Sequence, residues 1–169
     1  MPYDAREIAN FFVDRAGETG LPLTHLSLQK ILFFAHAWHL AKYNAPLIGQ
    51  RFEAWKHGPV VRVVYDQLKV YKDKEISSRL TKIDVTTGIM SFARYDLNSN
   101  LMKFLENIFD YYAKFDAGKL VDLTHEEAGP WEKVWKSGLD GAVVGMYIPD
   151  ESIRLWILRE GGRGSLIRH

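Results

Sequence analysis

Thr24-His25-Leu26-Ser27-Leu28-Gln29-Lys30-Ile31-Leu32-Phe33-Phe34-Ala35-His36-Ala37-Trp38-His39-Leu40-Ala41-Lys42-Tyr43 is the stretch on which the fold turns. Apolar side chains point in nearly every direction around it: Leu28, Ile31, Leu32, Phe33, Phe34, Ala35, Ala37, Trp38, Leu40 and Ala41. A surface helix carries one apolar stripe, so a helix that is apolar all round is expected to be the buried centre of a bundle. It starts near Thr24 to Ser27, and Asn44-Ala45-Pro46 ends it.

The flanking sequence supplies partners for that helix. Asp4-Ala5-Arg6-Glu7 reads as a capping box, and Ala5, Ile8, Ala9, Phe12 and Ala16 keep helical spacing. Gly17 and Gly20 are expected to stop this first helix. Residues 47–58 read as a connection, with Phe52 to Trp55 a short extended piece. Gly58-Pro59 is expected to open a third helix with Pro59 at its first position, where the missing N–H costs nothing. Val60, Val63, Val64, Leu68 and Tyr71 would be its inner stripe.

Downstream, Ile83-Asp84-Val85, Thr86-Thr87-Gly88 and Ile89 to Phe92 read as a β-hairpin, an insertion over about residues 76–95. Asn98 to Asn100 caps a fourth helix through Leu101, Phe104, Leu105, Ile108 and Tyr112. Asp116 opens a short helix through Leu120 and Leu123. Gly129-Pro130-Trp131 starts another, which Gly138 and Gly141 end. Pro149-Asp150 opens the last, and Gly161 to Gly164 releases a mobile, mildly basic tail over 161–169. The expectation is a mainly α, compact single-domain helical bundle over residues 1–160 with one small hairpin insertion.

Composition agrees. The chain has 169 residues, 47% hydrophobic and 25% charged, enough for one domain with a real core. Lysine plus arginine is 22 and aspartate plus glutamate 21, so the net charge of +1 gives no global basic footprint for nucleic acid. There is no cysteine, which excludes disulfides, a cysteine nucleophile and thiolate metal sites. The start carries no apolar signal segment, and no apolar run approaches ~20 residues, so a cytoplasmic protein without a membrane span is expected.

Several residues can carry chemistry. On the second helix, Gln29, His36, His39 and Lys42 fall within an arc of about 140° at 100° per residue, the helix's polar stripe. Lys30 lies outside it, among Leu26, Phe33, Phe34, Ala37 and Ala41. Either its stem covers apolar surface while the ammonium snorkels to water, or it is paired and positioned for the functional surface. His36 and His39 share a face and can serve a metal, joined by His25, His57 or His125 only if the fold gathers them; ordinary polar-face histidines are the plainer reading. Lys56 and His57 precede Gly58-Pro59, whose helix N–H groups would help them hold an anion, with Trp55 beside them. A well-made helix start with a core tryptophan explains the same residues. His125 with Glu126 or Glu127 has the makings of an acid–base pair, although Thr124 also suits a helix end and the glutamates a helix lead-in. P-loop, dinucleotide-binding, nucleophile-elbow and zincin motifs are all missing, and no cofactor is expected. Arg159, Arg163 and Arg168 are weak evidence for phosphate contact.

Leu28-Gln29-Lys30-Ile31-Leu32-Phe33-Phe34-Ala35, then Ala54-Trp55-Lys56-His57-Gly58-Pro59-Val60-Val61, then Leu120, Leu123-Thr124-His125 and Pro130-Trp131, resemble the Panacea domain. This is the domain of the SocA-like antitoxins and the phage-associated GepA proteins. The resemblance covers roughly residues 4–137. It implies a bacterial or prophage antitoxin that neutralises a cognate protein toxin by direct contact. At least one member looks like an adaptor that hands its toxin to a AAA+ protease. The resemblance puts weight on Lys30, Trp55, Gly58, Pro59, Thr124, His125 and Trp131, without saying whether they touch the toxin or hold the fold.

Three function classes follow from the sequence. The first is a protein-binding module, with Gln29, Lys30, Trp55, Lys56, His57, Gly58, Pro59, Thr124, His125 and Trp131 as motif or partner-binding residues. The second is a metal-assisted hydrolase using His36 and His39, and the third a DNA-binding autoregulator, against which the +1 charge argues.

Overall fold

A computed structural model describes residues 1–139 and 145–160. The tail expected over 161–169, with Arg163 and Arg168, lies outside the described residues, as does Gly141.

Helix α1 (Ala5–Thr19) carries the capping box expected of it: the Asp4 carboxylate accepts from the Arg6 N–H, and the Glu7 side chain accepts from the Asp4 N–H. It runs through Gly17 and ends at Gly20, whose φ of 72° gives the left-handed turn that glycine adopts without a Cβ clash. Helix α2 (His25–Tyr43) is capped by Thr24 and closed by Asn44, also left-handed. As expected, it is the spine: Leu28, Ile31, Leu32, Phe33, Ala35 and Ala37 are fully buried. Around it pack α4 (Ser99–Tyr112), α5 (Ala117–Thr124) and α7 (Asp150–Glu160). Phe34 stacks on Tyr112 at 4.3 Å, and Trp38 Nε1 donates to the Tyr112 hydroxyl at 2.7 Å. Phe33 meets Phe52 and Trp156, closing the core on the α7 side. Helix α6 (Pro130–Leu139) begins at the second Gly-Pro step, as its sequence predicts, and runs through Gly138.

The fold is mainly α, with seven helices among the described residues, but it holds two antiparallel hairpins rather than one. The second lies where a helix start is expected. Strands β1 (Glu53–Trp55) and β2 (Gly58–Val60) pair with Ala54 opposite Pro59, and α3 (Arg62–Leu68) begins only after Val61. Gly58-Pro59 therefore does not open a helix. A proline is tolerated because β2 is an edge strand with no ladder partner for the missing N–H. The other edge of β1 is used: Ala54 N–H donates to the Met146 carbonyl, and Ile148 N–H to that of Phe52, each at 2.8 Å.

The anticipated insertion is β3 (Thr81–Ile83) and β4 (Met90–Phe92). Asp84 and Val85 belong to the turn rather than to the strand, because the Asp84 carboxylate accepts from the Thr86 and Thr87 N–H groups and bends the chain there. No helix among the described residues is long and apolar enough to cross a membrane.

Candidate functional site

Two adjacent residues of α2 hold the β1–β2 hairpin. Gln29 makes a paired clamp on the Val61 backbone, accepting its N–H at 2.9 Å and donating to its carbonyl at 3.2 Å. Lys30 Nζ donates to the Pro59 carbonyl at 2.8 Å. Both side chains are buried, Lys30 completely, so it neither snorkels nor reaches water. Gln29 and His36 are likewise buried, and the polar stripe read from the sequence is an inward-facing set of fold contacts over this part of the helix.

The hairpin lies on the lysine through a residue without a side chain. Gly58 has φ of 102°, and a Cβ there would meet Thr124 Oγ1 at 2.7 Å, Lys30 Cε at 2.8 Å and Lys30 Nζ at 3.1 Å. Glycine is required twice over, by backbone conformation and by space. Thr124, at the end of α5, turns its hydroxyl to the Val121 carbonyl at 2.7 Å. Next to it, His125 stacks flat on Trp131, with centroids 3.7 Å apart and planes at 10°. Trp131 Nε1 donates to the Trp55 carbonyl at 2.8 Å. One corner therefore gathers Gln29, Lys30, Trp55, Gly58, Pro59, Thr124, His125 and Trp131, from three helices and one hairpin.

Lys56 and His57 behave differently. They form the hairpin turn and are exposed. With no helix N-terminus behind them, the expected anion cradle does not form. Trp55 packs edge-on against Tyr65 at 4.6 Å, under the Arg62 guanidinium, which also forks onto the Glu53 carboxylate at 3.0 and 3.1 Å. Sequence reasoning missed the Glu53–Arg62 pair, since nothing in a nine-residue separation across a hairpin and a helix start marks it.

Electrostatics follow burial. Lys30 loses its water shell and gains one neutral carbonyl, so its pKa is pulled down to about 7. His25 is lowered to about 4 by burial and by the Lys30 charge. His125 is lowered by the same two causes in the same order, and its Nε2 is buried with no hydrogen-bond partner among the described residues. The corner thus prefers a low charge at neutral pH.

The other two candidate histidines are fold contacts. His36 Nδ1 accepts the Ile48 N–H at 3.2 Å, which assigns the proton to Nε2, and Nε2 donates to Asp150 Oδ1 at 2.8 Å. His39 Nδ1 donates to the Ala45 carbonyl at 2.7 Å. Both ring nitrogens of His36 are thereby used. No group of three His, Asp or Glu side chains with metal-binding geometry occurs among the described residues. His125 stacks on Trp131, and the Glu126 carboxylate accepts from Trp156 Nε1.

A mainly α domain whose spine helix, tight hairpin and α5–α6 turn converge on a buried lysine is thus the architecture that carries these motifs. The sequence model of the family "Antitoxin SocA-like, Panacea domain" matches residues 28–132, which contain every residue of the corner. Antitoxin SocA of Caulobacter vibrioides (strain NA1000 / CB15N) is 32% identical over 151 residues, covering 89% of this chain and 80% of that protein. The chain belongs to the SocA-like antitoxin family and carries its Panacea domain. No solved structure matches it significantly.

Proposed function

We propose that the chain neutralises a cognate protein toxin by binding it directly, with the buried corner as the scaffold that fixes the binding surfaces. The observation that carries this reading is the 32% identity to an antitoxin over 151 residues, 89% of this chain, with all ten motif residues lying inside the span that the family model matches. The chemistry of the corner supports it. Lys30, Thr124 and Gln29 are closed off from solvent and spend their polar atoms on backbone groups, as positioning residues do. Delivery of the bound toxin to a AAA+ protease is the finer form of the same reading. A metal-assisted hydrolase would need His36 to give up its bonds to Ile48 and Asp150. DNA binding would need a basic face, and the net charge is +1.

The test is co-expression with the protein encoded by the adjacent reading frame. Rescue of growth together with a complex that survives purification supports direct neutralisation. Shortening of the toxin's lifetime only when both the antitoxin and a AAA+ protease are present supports delivery. Rescue with no complex on purification or crosslinking, and with the toxin's product chemically reversed, overturns the reading in favour of an enzyme. A salt-sensitive shift of its own promoter DNA by the chain alone points to autoregulation.

A further inference from the structure

The Lys30 corner gathers groups that take up protons and offers them no counter-charge. Lys30 is wholly buried, its ammonium has one neutral acceptor, the Pro59 carbonyl, and it forms no ion pair among the described residues. His25, earlier on the same helix, is buried against Tyr65 of α3 with ring centroids 5.2 Å apart. His125 Nε2 is buried with no hydrogen-bond partner among the described residues, and the charges of Lys30 and of His57 in the hairpin turn both act against its protonation. Carboxylates on the neighbouring elements are held elsewhere: Glu53 by Arg62, Asp66 by Lys69, Asp150 by His36, and Glu126 by Trp156 Nε1. Asp122, exposed on α5, is the carboxylate that acts on His125, and it ranks behind both burial and Lys30. A wholly buried cation with one carbonyl partner is costly, and a methionine would fill the same space without that cost.

The β1–β2 hairpin is the lid over this cluster. Its seat consists of the Lys30 bond to Pro59, the Gln29 clamp on Val61 and the Trp131 Nε1 bond to the Trp55 carbonyl. Gly58 lies so close to Lys30 and Thr124 that the seat has no slack. Trp55 also packs on Tyr65, the ring that covers His25. On its far side β1 is tied separately, through Ala54 to the Met146 carbonyl and through the Phe52 carbonyl to Ile148.

We propose that the corner is a proton-operated latch: proton uptake lifts the β1–β2 hairpin off Lys30, with the bonds to Met146 and Ile148 as the pivot, while the spine helix stays folded. Trp55 and the Lys56–His57 turn move with the hairpin, so this part of the chain offers a different surface in each state. The direction follows from burial. When the hairpin lifts, Lys30 and His25 regain water, and their pKa values return from about 7 and about 4 toward ~10.4 and ~6.5. The open state therefore binds more protons throughout pH ~4–10, and opening becomes easier as pH falls. His25 holds the latch closed above pH ~6.5 and loses that effect toward 4, and Lys30 loses its effect between ~10 and 7. From pH 7.5 to 5.5, His25 alone favours opening by about tenfold.

The test is hydrogen exchange of the whole chain, followed by NMR and corrected for intrinsic exchange rates. Protection of the Val61 amide, held by Gln29, and of the Trp131 indole N–H, held by the Trp55 carbonyl, should fall about tenfold or more between pH 7.5 and 5.5. The Leu32–Ala35 amides of the spine should stay at least ~100-fold better protected than Val61 at both pH values, the mark of local opening rather than unfolding. His25→Phe keeps a ring on Tyr65 and His125→Phe keeps the stack on Trp131, and neither can be protonated. The double variant, and His25→Phe alone, should each shrink the fall at Val61 by about threefold or more. Equal protection of Val61 and the spine, protection that does not change with pH, or an undiminished fall in a folded His25→Phe chain each overturns the latch. The measurement involves no toxin, so its failure leaves the antitoxin reading standing.

Discussion

A Cβ on Gly58 would stand 2.8 Å from Lys30 Cε, so strand β2 and the spine helix meet through a glycine and the stem of a buried lysine. Gly58→Ala adds a methyl where neither Lys30 nor Thr124 has room, and holds it at φ of 102°. The left-handed conformation costs roughly 1–2 kcal/mol and overpacking roughly 1–3 kcal/mol more. Denaturant melts should therefore show a loss of about 2–5 kcal/mol. A loss under about 0.5 kcal/mol, the range of a neutral surface change, would mean the hairpin does not seat on Lys30.

Lys30 also sets a pH dependence. Its folded pKa is about 7, below the ~10.4 of an unfolded chain. Between those values the unfolded state binds the extra proton, so stability rises with pH over that window, by at most ~1.4 kcal/mol per unit for this group. Below about 7 the lysine is protonated in both states and its contribution is flat, at its least favourable. His25 acts in a lower window: folded at about 4 against ~6.5 unfolded, it gives stability that is lost as pH falls from 6.5 toward 4. Tyr95, raised to about 12, turns the curve down above pH ~10. Melts of Lys30→Met should lose the rise between pH 7 and 10 and keep the fall below 6.5. A variant curve parallel to wild type across pH 7–10 would show that Lys30 stays fully protonated in the fold.

Gln29 is the second pin of the hairpin. Gln29→Leu leaves the Val61 N–H and carbonyl without their clamp, and an unpaired buried polar group costs ~1–3 kcal/mol. The expected loss is ~2–5 kcal/mol, similar to that of Leu32→Ala in the same helix, a large-to-small core change. Gln29→Leu within ~0.5 kcal/mol of wild type would mean that Val61 finds other partners at no cost.

These pairs also explain what the sequence made legible. The spine, its caps at Thr24 and Asn44, the capping box at Asp4 and the Gly-Pro start of α6 were all legible, because each is decided by residues within one or two turns. Gly58-Pro59 has the same local form as Gly129-Pro130, yet it is a strand. The difference lies some 29–32 residues upstream, where Lys30 and Gln29 hold the Pro59 and Val61 backbone extended. The same distance hid the state of Lys30. Its position off the polar stripe was visible, but burial depended on an acceptor the sequence did not announce. His36 looked like a surface histidine because its partner Asp150 is 114 residues away. The corner itself was legible as a list of motif residues. Their convergence, and the separation of buried Gln29, Lys30 and Thr124 from exposed Lys56 and His57, needed the three-dimensional arrangement.

That separation leads to a prediction about neutralisation. A residue that is wholly buried and bonded to backbone acts on a partner only through the fold it holds. Lys30→Ala removes the bond to Pro59 and leaves a cavity beneath Gly58, so the hairpin should loosen and Tm should fall. The loss of toxin neutralisation should follow the loss of folded protein. Growth rescue by Lys30→Ala should be impaired at 37 °C, where a protein destabilised by ~2–4 kcal/mol has spent much of its margin, and restored near 20 °C. Lys56→Glu and His57→Glu sit on the exposed turn and should leave Tm within about 2 °C of wild type. The measurement is paired: growth rescue at two temperatures, and Tm of each purified variant. If Lys30→Ala fails to rescue at both temperatures with an unchanged Tm, the lysine does more than support the hairpin, and the corner is itself a site of contact or chemistry.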